Sequence, residues 1–293
     1  MSLWKNYYLA QTIDEALSRI SNGAKVIAGG TDLLLEIQHG MHPPVDNLVD
    51  VCNIPELNAL EIRGNDLFIG AAVPLSGIMS SPLVIKNGQA LVEACSLIGG
   101  PQVRNTATLG GNVAHALPAA DGAVALLALG AQAESIDLKG RQISDLEDLF
   151  LGPRKSIITE RKVLLVGFYF QKLGNVEASA FRRVMLPEGV ALPVINIAIW
   201  MHRSKNKILN VRIALGTSGP VPVRAKQAEK IMQGEIFSPG LIDKAYHFII
   251  EELILRTSPF RSATDYRSPM AKVLLQEVFE LAWQRSKNPG TAD

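Results

Sequence analysis

Two glycine-rich segments, far apart in the chain, constrain what it can fold into. The first, residues 28–32 (AGGTD), follows an apolar run at residues 25–28 and precedes a segment with helical potential at residues 33–38. A strand that feeds a glycine turn opening a helix directs backbone N–H groups at one point, where they can bind an anion. Glycine also lets a ligand approach the backbone closely. The segment therefore predicts a phosphate-binding loop or, equally well, a tight strand–helix turn without a ligand.

Two side chains of this first segment leave alternatives open. Thr31 offers a hydroxyl that could cap the following helix or bond a phosphate oxygen. The carboxylate of Asp32 would repel a phosphate, so it could instead cap backbone donors or accept a hydroxyl from a sugar chain. The segment matches neither the G-x-G-x-x-G fingerprint nor the P-loop, so the motif alone does not name a ligand.

The second segment, residues 102–112 (QVRNTATLGGN), brings hydroxyl, backbone and amide groups close together in the chain. Thr108, two glycines and Asn112 supply these groups within a few positions. Asp121 follows, near the start of an alanine-rich stretch that predicts a buried helix. Its carboxylate could cap that helix or accept a ligand hydroxyl such as a ribose. Two such segments, each next to apolar structure, favour a long ligand held at both ends.

Composition excludes several classes of protein. The chain has 293 residues, with 29 Lys and Arg against 28 Asp and Glu, which gives no electrostatic footprint for nucleic acid. Two cysteines cannot supply four thiolates for an iron–sulfur cluster. The longest apolar run, residues 122–132, is too short to span a membrane, and the N-terminal segment lacks the pattern of a secretory signal. We expect a cytoplasmic enzyme or enzyme subunit.

Local patterns predict a mixture of helices and strands. A capping box at residues 12–15 predicts a short helix that ends at residues 22–23. Strands are predicted at residues 25–28, 48–51, 59–62, 67–69, 134–138, 141–143, 163–170, 181–183, 194–202 and 211–216. Helices are predicted at residues 33–38, 88–98, 119–129, 224–233, 241–255 and 269–285. Residues 99–112 are expected to be a polar, glycine-rich loop, and residues 171–177 are the best candidate for a domain boundary.

Beyond these patterns, the sequence resembles a known family. Residues 25–34 (KVIAGGTDLL) and 99–121 (GGPQVRNTATLGGNVAHALPAAD) are similar to the two FAD-binding motifs of the molybdenum hydroxylase flavoproteins. This family includes the flavin (medium) subunits or domains of xanthine dehydrogenase and carbon monoxide dehydrogenase. Similar segments also occur, in the order of the family, at residues 49–57, 67–71, 216–234 and 260–267. The resemblance therefore covers nearly the whole chain.

The resemblance implies a fold and a cofactor. The expected fold class is α+β, with a two-subdomain FAD-binding domain at residues 1–172 and a smaller C-terminal domain of sheet plus helices at residues 173–288. The subdomains would cover about residues 1–55 and 56–172, with FAD between them. The implied FAD contacts are Val26, Ile27, Ala28, Gly29, Gly30, Thr31, Asp32, Leu33, Ile98, Gly99, Thr108, Leu109, Gly110, Gly111, Asn112, Asp121, Leu164 and Arg182.

The family's chemistry implies an electron-transfer subunit. A molybdenum cofactor in a large subunit would oxidise the substrate, and [2Fe–2S] clusters in a small subunit would relay electrons singly. FAD in this chain would connect that relay to an acceptor such as NAD or oxygen, while the protein contributes binding, orientation and electrostatics. No side chain is therefore expected to be an essential acid or base. Two other interpretations stay open: a free-standing flavin oxidoreductase of related fold, and a scaffolding subunit without flavin.

The five histidines do not predict a metal site. His39 and His42 lie near a loop, whereas His115, His202 and His247 are isolated in the sequence. No cysteine or carboxylate completes a ligand set in the sequence, so we expect none. Arg104 is expected to brace the second glycine-rich segment rather than to carry chemistry.

Overall fold

The protein combines parallel and antiparallel sheets, in a computed structural model that describes residues 3–42, 45–185, 192–252 and 264–287. The first sheet is parallel and has the strand order β1-β3-β2. Its strands are β1 (Trp4–Leu9), β2 (Lys25–Ile27) and β3 (Val45–Asp50), with α1 (Ile13–Ser21) and α2 (Leu33–Gln38) between them. The expected helix after residue 12 is confirmed: the Thr12 hydroxyl accepts the backbone N–H of Glu15 at 3.2 Å.

A five-stranded antiparallel sheet forms the next layer, in the order β4-β5-β10-β6-β7. Its strands are β4 (Leu60–Arg63), β5 (Asp66–Gly70), β6 (Gln132–Asp137), β7 (Gly140–Asp145) and β10 (Leu164–Gln171). The strands predicted at residues 134–138 and 141–143 are confirmed, and they pair as the antiparallel hairpin of β6 and β7. A two-stranded ribbon of β8 (Phe150–Gly152) and β9 (Lys155–Ser156) follows, and α9 (Ile157–Glu160) precedes β10.

Six helices connect β5 to β6 in the described part of the chain. They are α3 (Leu75–Ser80), α4 (Pro82–Asn87), α5 (Gln89–Leu97), α6 (Pro101–Thr106), α7 (Leu109–Ala114) and α8 (Asp121–Leu129). The prediction of a loop over residues 99–112 is wrong, because α6 and α7 lie there. Pro101 suits the first turn of a helix, and the Thr108 hydroxyl caps α7 by accepting the N–H of Gly111 at 3.1 Å.

The second half of the chain is a four-stranded antiparallel sheet with three helices among its described residues. The strands follow in sequence order: β11 (Glu177–Met185), β12 (Pro193–Ser204), β13 (Lys207–Gly216) and β14 (Val223–Arg224). The helices are α10 (Lys226–Met232), α11 (Pro239–Glu252) and α12 (Thr264–Arg285). The predicted strands and helices are confirmed in type, and the α+β class with them. Residues 253–255 of one predicted helix, and residues 260–263 of one family-like segment, lie outside the described residues.

Helix α8 joins the two halves of the protein. All nine of its residues are buried. Its apolar side chains belong to one core cluster with residues of the five-stranded sheet and with Phe181, Ala198 and Trp200 of the four-stranded sheet. Among the described residues, no helix is long and apolar enough to cross a membrane. The burial of α8 fixes its first residue, Asp121, at the junction of the two halves.

Candidate functional site

A cavity of about 590 Å³ brings the two glycine-rich segments together. Its size falls within the usual range for cofactor sites. Fourteen of the predicted contact residues line it: Val26, Ile27, Ala28, Gly29, Gly30, Thr31, Asp32, Leu33, Ile98, Gly99, Thr108, Gly111, Asn112 and Asp121. Arg183 and Pro193, from β11 and β12, complete the wall. The cavity is therefore built from both halves of the chain.

The two segments touch through their backbones at Gly29. A Cβ atom at this position would lie 2.1 Å from the carbonyl oxygen of Thr106 and 2.9 Å from the Cα of Ala107. Any side chain would push the segments apart, so glycine is required here for close approach. Gly30 has a different role, since its φ of +67° lies in the region that favours glycine. The first glycine thus closes the cavity wall, and the second turns the chain into α2.

Two predicted contacts of the second segment lie behind the cavity wall. Leu109 is fully buried in the core. Gly110 packs so closely that a Cβ would lie 2.5 Å from the carbonyl oxygen of Ala71. Neither residue lines the cavity, whereas Thr108, Gly111 and Asn112 do. Leu109 and Gly110 therefore hold the segment in place from behind.

Buried polar atoms on the wall lack partners among the described residues. The Oδ1 atom of Asn112 and the Nε atom of Arg183 are both buried without a hydrogen bond there. Such atoms are rare in folded proteins, and a bound group that hydrogen-bonds to them would account for both. One accepts and one donates, so the wall fits a ligand with both kinds of polar group, as FAD has.

Asp121 holds Arg183 rather than capping its own helix. Its Oδ2 accepts from Nη1 of Arg183 at 2.5 Å, and its Oδ1 accepts from Nδ2 of Asn196 at 2.5 Å. Burial raises the pKa of Asp121 to about 6, although Arg183 and Asn196 oppose the rise. The N-cap residue of α8 is Ala120 and Asp121 is the first helical residue, so the capping interpretation is wrong. Both carboxylate oxygens of Asp121 therefore accept hydrogen bonds from side chains of the second half of the chain.

Arg182 and Arg183 point to different neighbours, as adjacent residues of a strand must. The predicted contact Arg182 forms an ion pair with Glu93 of α5 at 3.2 Å and does not line the cavity. Arg183, which the sequence analysis did not single out, lies on the wall. Leu164, the first residue of β10, is buried in a core cluster with residues of α1 and β3 and does not line the cavity. The alternation along β11 could have identified Arg183 had its register been known.

The turn at Ile98 and Gly99 is braced by Arg104. Its Nη1 donates to the carbonyl oxygens of Ile98, at 3.1 Å, and of Gly99, at 2.6 Å. The bracing role expected for Arg104 is confirmed. Gly99 has a φ of +54°, and both turn residues line the cavity. The bond network therefore fixes the part of the wall between α5 and α6.

His115 is isolated in the sequence, but the fold places it beside two carboxylates. Its Nδ1 lies 3.6 Å from the Asp32 carboxylate, and its Nε2 lies 3.0 Å from Glu36. Both carboxylates are far from His115 in sequence, so the spacing of residues could not reveal the contact. Contact with Asp32, and then with Glu36, raises the pKa of His115 despite its burial, and contact with His115 lowers the pKa of Asp32. Asp32 makes no capping bond, so that alternative is also wrong.

Within the described ranges, no group of three or more His, Cys, Asp or Glu side chains has an arrangement that could hold a metal ion. Several charged side chains of the cavity wall form ion pairs with one another. Arg154, for example, lies 3.1 Å from Glu36.

Comparison with known families identifies the class of protein to which this cavity belongs. Residues 3–168 match the FAD binding domain in molybdopterin dehydrogenase, and residues 179–282 match the CO dehydrogenase flavoprotein C-terminal domain. The chain therefore belongs to the family of FAD-binding flavoproteins of molybdopterin dehydrogenases. It is an oxidoreductase flavoprotein, and its cofactor is FAD. The family, fold class and cofactor expected from the sequence are confirmed.

Individual relatives resemble the chain over nearly its whole length. It is 26% identical to a putative xanthine dehydrogenase FAD-binding subunit of Escherichia coli (strain K12), over 94% of this chain and 95% of the relative. It is 28% identical to the carbon monoxide dehydrogenase medium chain of Hydrogenophaga pseudoflava, over 95% and 97%. A solved structure of carbon monoxide dehydrogenase from Hydrogenophaga pseudoflava superposes with a TM-score of 0.90 at 27% identity, covering 96% of this chain and 97% of that one.

Proposed function

We propose that this chain is the FAD-binding electron-transfer subunit of a multi-subunit molybdenum hydroxylase. Its partners would be a large subunit that binds the molybdenum cofactor and a small subunit with [2Fe–2S] clusters. The observation that carries this proposal is the cavity between the two halves, whose wall contains both glycine-rich segments. Full-length similarity to a xanthine dehydrogenase FAD-binding subunit and a carbon monoxide dehydrogenase medium chain supports the assembly.

The chain's own residues would bind and orient the cofactor. Backbone N–H groups of Gly29, Gly30 and Thr31 precede or open α2, where N–H groups have no intrahelical acceptor, so they can donate to the pyrophosphate. Asn112 of the second glycine-rich segment has a buried acceptor atom without a partner among the described residues, and Arg183 of β11 has such a donor atom. Bound FAD would supply one- and two-electron redox chemistry between the clusters and an external acceptor, NAD or oxygen. No side chain needs to act as an acid or base for this role.

We also propose that the chain consists of two domains and that it is located in the cytoplasm. An FAD-binding domain at residues 1–172, with subdomains at about residues 1–55 and 56–172, is supported by β3 ending at Asp50 and β10 at Gln171. A C-terminal domain at residues 173–288 is supported by β11, which starts at Glu177. Cys52 and Cys95 are both free thiols, which is usual in the cytoplasm.

Electron transfer is tested in the assembled enzyme, because the proposed substrate chemistry lies in the partners. The chain is co-purified with its molybdenum and [2Fe–2S] subunits, and part of the sample is stripped of FAD. We expect substrate to reduce the clusters in both samples, but the acceptor to be reduced only in the sample that retains FAD. Equal acceptor reduction by the stripped sample would contradict the proposal. Turnover by the purified chain alone would favour a free-standing flavin oxidoreductase instead.

A further inference from the structure

Four charged side chains form a cluster on the cavity wall beside the first glycine-rich segment. The cluster consists of Asp32 and Glu36 of the α2 region, His115 at the end of α7 and Arg154 of the β8–β9 turn. The His115 ring lies between the two carboxylates, and Arg154 contacts the same Glu36 oxygen as His115, Oε1, at 3.1 Å. All four residues line the cavity. This His115 cluster thus connects three separate segments at the predicted position of the pyrophosphate.

The backbone around the cluster is held in place by further bonds. The N–H of Arg154 donates to the carbonyl oxygen of Ala116 at 3.0 Å, and the Ser156 hydroxyl donates to that of Ala114 at 2.7 Å. Ala116 and Arg154 both have positive φ, 51° and 60°, which residues other than glycine seldom adopt. Such conformations persist where the surroundings enforce them, and they concentrate at functional sites. The bonds therefore fix His115 between its partners.

The charge of the cluster depends on the proton of His115. With His115 protonated, two cations balance two anions and the cluster is neutral. When His115 loses its proton, the cluster carries one net negative charge. Because Asp32 and Glu36 raise the pKa of His115, this change falls at a higher pH than for an ordinary histidine.

Other charged groups also face the cavity. Lys25, His42 and Glu160 line it near the first segment, and Asp121 and Arg183 line the far wall. With a pKa of about 6, Asp121 is mostly ionised above about pH 7, so its charge changes little at higher pH. His42 is the other histidine on the wall, and its contribution has to be separated by substitution.

We propose that His115 is a positioning residue that makes FAD retention depend on pH. Its imidazolium neutralises Asp32 and Glu36 beside residues 29–31, so that the two negative charges of the pyrophosphate meet a neutral wall. Deprotonation leaves a negative wall and weakens FAD binding. This inference rests on the proposed FAD site, and it gives a role to a residue of the second family-like motif that is not among the implied FAD contacts.

The test measures the dissociation constant of FAD between about pH 7 and 9, by flavin fluorescence, on the full chain co-purified with any partner it needs. Wild type should bind FAD roughly tenfold more weakly at the upper pH, because bound FAD favours the protonated form of His115. His115→Gln should bind weakly at every pH. His115→Lys, which keeps the positive charge, should bind tightly at every pH.

Matched variants separate this role from a structural one. His247→Gln, on an exposed histidine of α11, should keep the wild-type profile. Glu36→Gln removes a negative charge, so it should tighten FAD binding and move the pH midpoint downward; if His115→Gln fails to fold, this variant still decides the matter. Weaker binding by Glu36→Gln, or loss of the pH dependence only in His42→Gln, would overturn the inference.

The inference and the proposed function fail in different ways. Wild type that binds FAD with a pH-independent dissociation constant overturns the role of His115 and leaves the flavoprotein function intact. Wild type that binds no FAD at any pH, even with its partners, overturns the proposed site and the role of His115 together.

Discussion

At the scale of single residues, the adjacent arginines Arg182 and Arg183 have different partners and therefore different roles. Arg183 is held by Asp121 on the cavity wall, and only 6% of its side chain is exposed. Arg182 pairs with Glu93, which also contacts Arg285 of α12 at 2.5 Å. Since the buried Nε of Arg183 has no partner among the described residues, it is the better candidate to donate to the cofactor.

Substituting the two arginines separately tests this difference. Arg183→Met should weaken FAD binding by about tenfold or more, because a hydrogen bond from a charged donor contributes about 1.5–3 kcal/mol. Arg182→Met should leave FAD binding within about twofold, since the ion pair of Arg182 with Glu93 lies outside the cavity lining. FAD titration of both variants provides the measurement. Equal effects of the two substitutions would rule out the distinction.

Gly29 allows a second prediction at this scale. In Gly29→Ala the new methyl group would overlap the Thr106 carbonyl, so the two glycine-rich segments should separate and the purified protein should lose its FAD. The matched control is Gly77→Ala, whose Cβ would meet Val73 at an ordinary 3.6 Å. Flavin absorbance after gel filtration measures retention, and circular dichroism verifies folding. A folded Gly29→Ala protein with a full equivalent of FAD would refute this account of the wall.

Part of the site is predictable from the sequence, and the rest is not. The glycine-rich segments were identified because glycines, hydroxyls and amides lie close together in the chain. The partners of His115 were missed because Asp32 and Glu36 meet it only through the fold. Arg183 was missed because the choice between two adjacent arginines depends on which face of β11 meets α8, and short-range patterns do not fix that register.

At the scale of elements, the C-terminus of α8 depends on the sheet of the second half. Arg212 of β13 donates to the carbonyl oxygens of Ala128 and Leu129, each at 2.9 Å, and stacks over the Trp200 ring at 3.7 Å. The last carbonyls of a helix lack intrahelical donors, and Arg212 supplies donors to two of them at the end of the buried helix α8. Burial lowers the pKa of Arg212 to about 10, so it remains charged at neutral pH.

Replacing Arg212 should therefore destabilise α8. We expect Arg212→Met to lower the free energy of unfolding by about 2 kcal/mol, as for other bonds from charged donors to buried acceptors. Urea unfolding measures the loss, and hydrogen exchange should show faster opening of α8. Arg161→Met, at an exposed arginine, serves as the control and should change little. An unchanged free energy of unfolding in Arg212→Met would show that the two hydrogen bonds make no net contribution to stability.

The elements themselves were largely predictable where local signals agree. The buried stretch that became α8 was predicted from its uninterrupted small apolar residues, and the β6–β7 hairpin from its turn. Strand β1 was not predicted, because Trp4–Leu9 is mostly exposed and lacks a clear alternation. Helices α3 and α4 were also missed, since each is only six residues long and their periodicity is too short to detect.

At the scale of the whole molecule, the two halves share one core. Phe181, Ala198 and Ala214 of the second half pack in the same apolar cluster as α5 and α8 of the first. Arg285, near the end of α12, also donates to the Ser179 carbonyl at 3.0 Å and pairs with Glu93 of α5. The first half is therefore not complete without the second.

A fragment of residues 1–172 tests this dependence. Without the four-stranded sheet, the apolar faces of α5 and α8 would be exposed to solvent, which favours aggregation. We expect the fragment to lack a cooperative thermal transition and to bind no FAD, whereas the full chain shows both. Circular dichroism during heating and FAD titration provide the measurements. A fragment that unfolds cooperatively at the temperature of the full chain would disprove the dependence.

Because both halves of the chain form the cavity wall, the second sheet has to fold before the cavity can enclose FAD. Domains generally fold from the N-terminus as the chain leaves the ribosome. Arg183 and Pro193, however, belong to strands that are synthesised after both glycine-rich segments, and they complete the wall. The cavity can close around a flavin only when the second sheet has emerged and folded. We therefore expect cofactor loading to be a late step, after the strands of the second sheet have been synthesised.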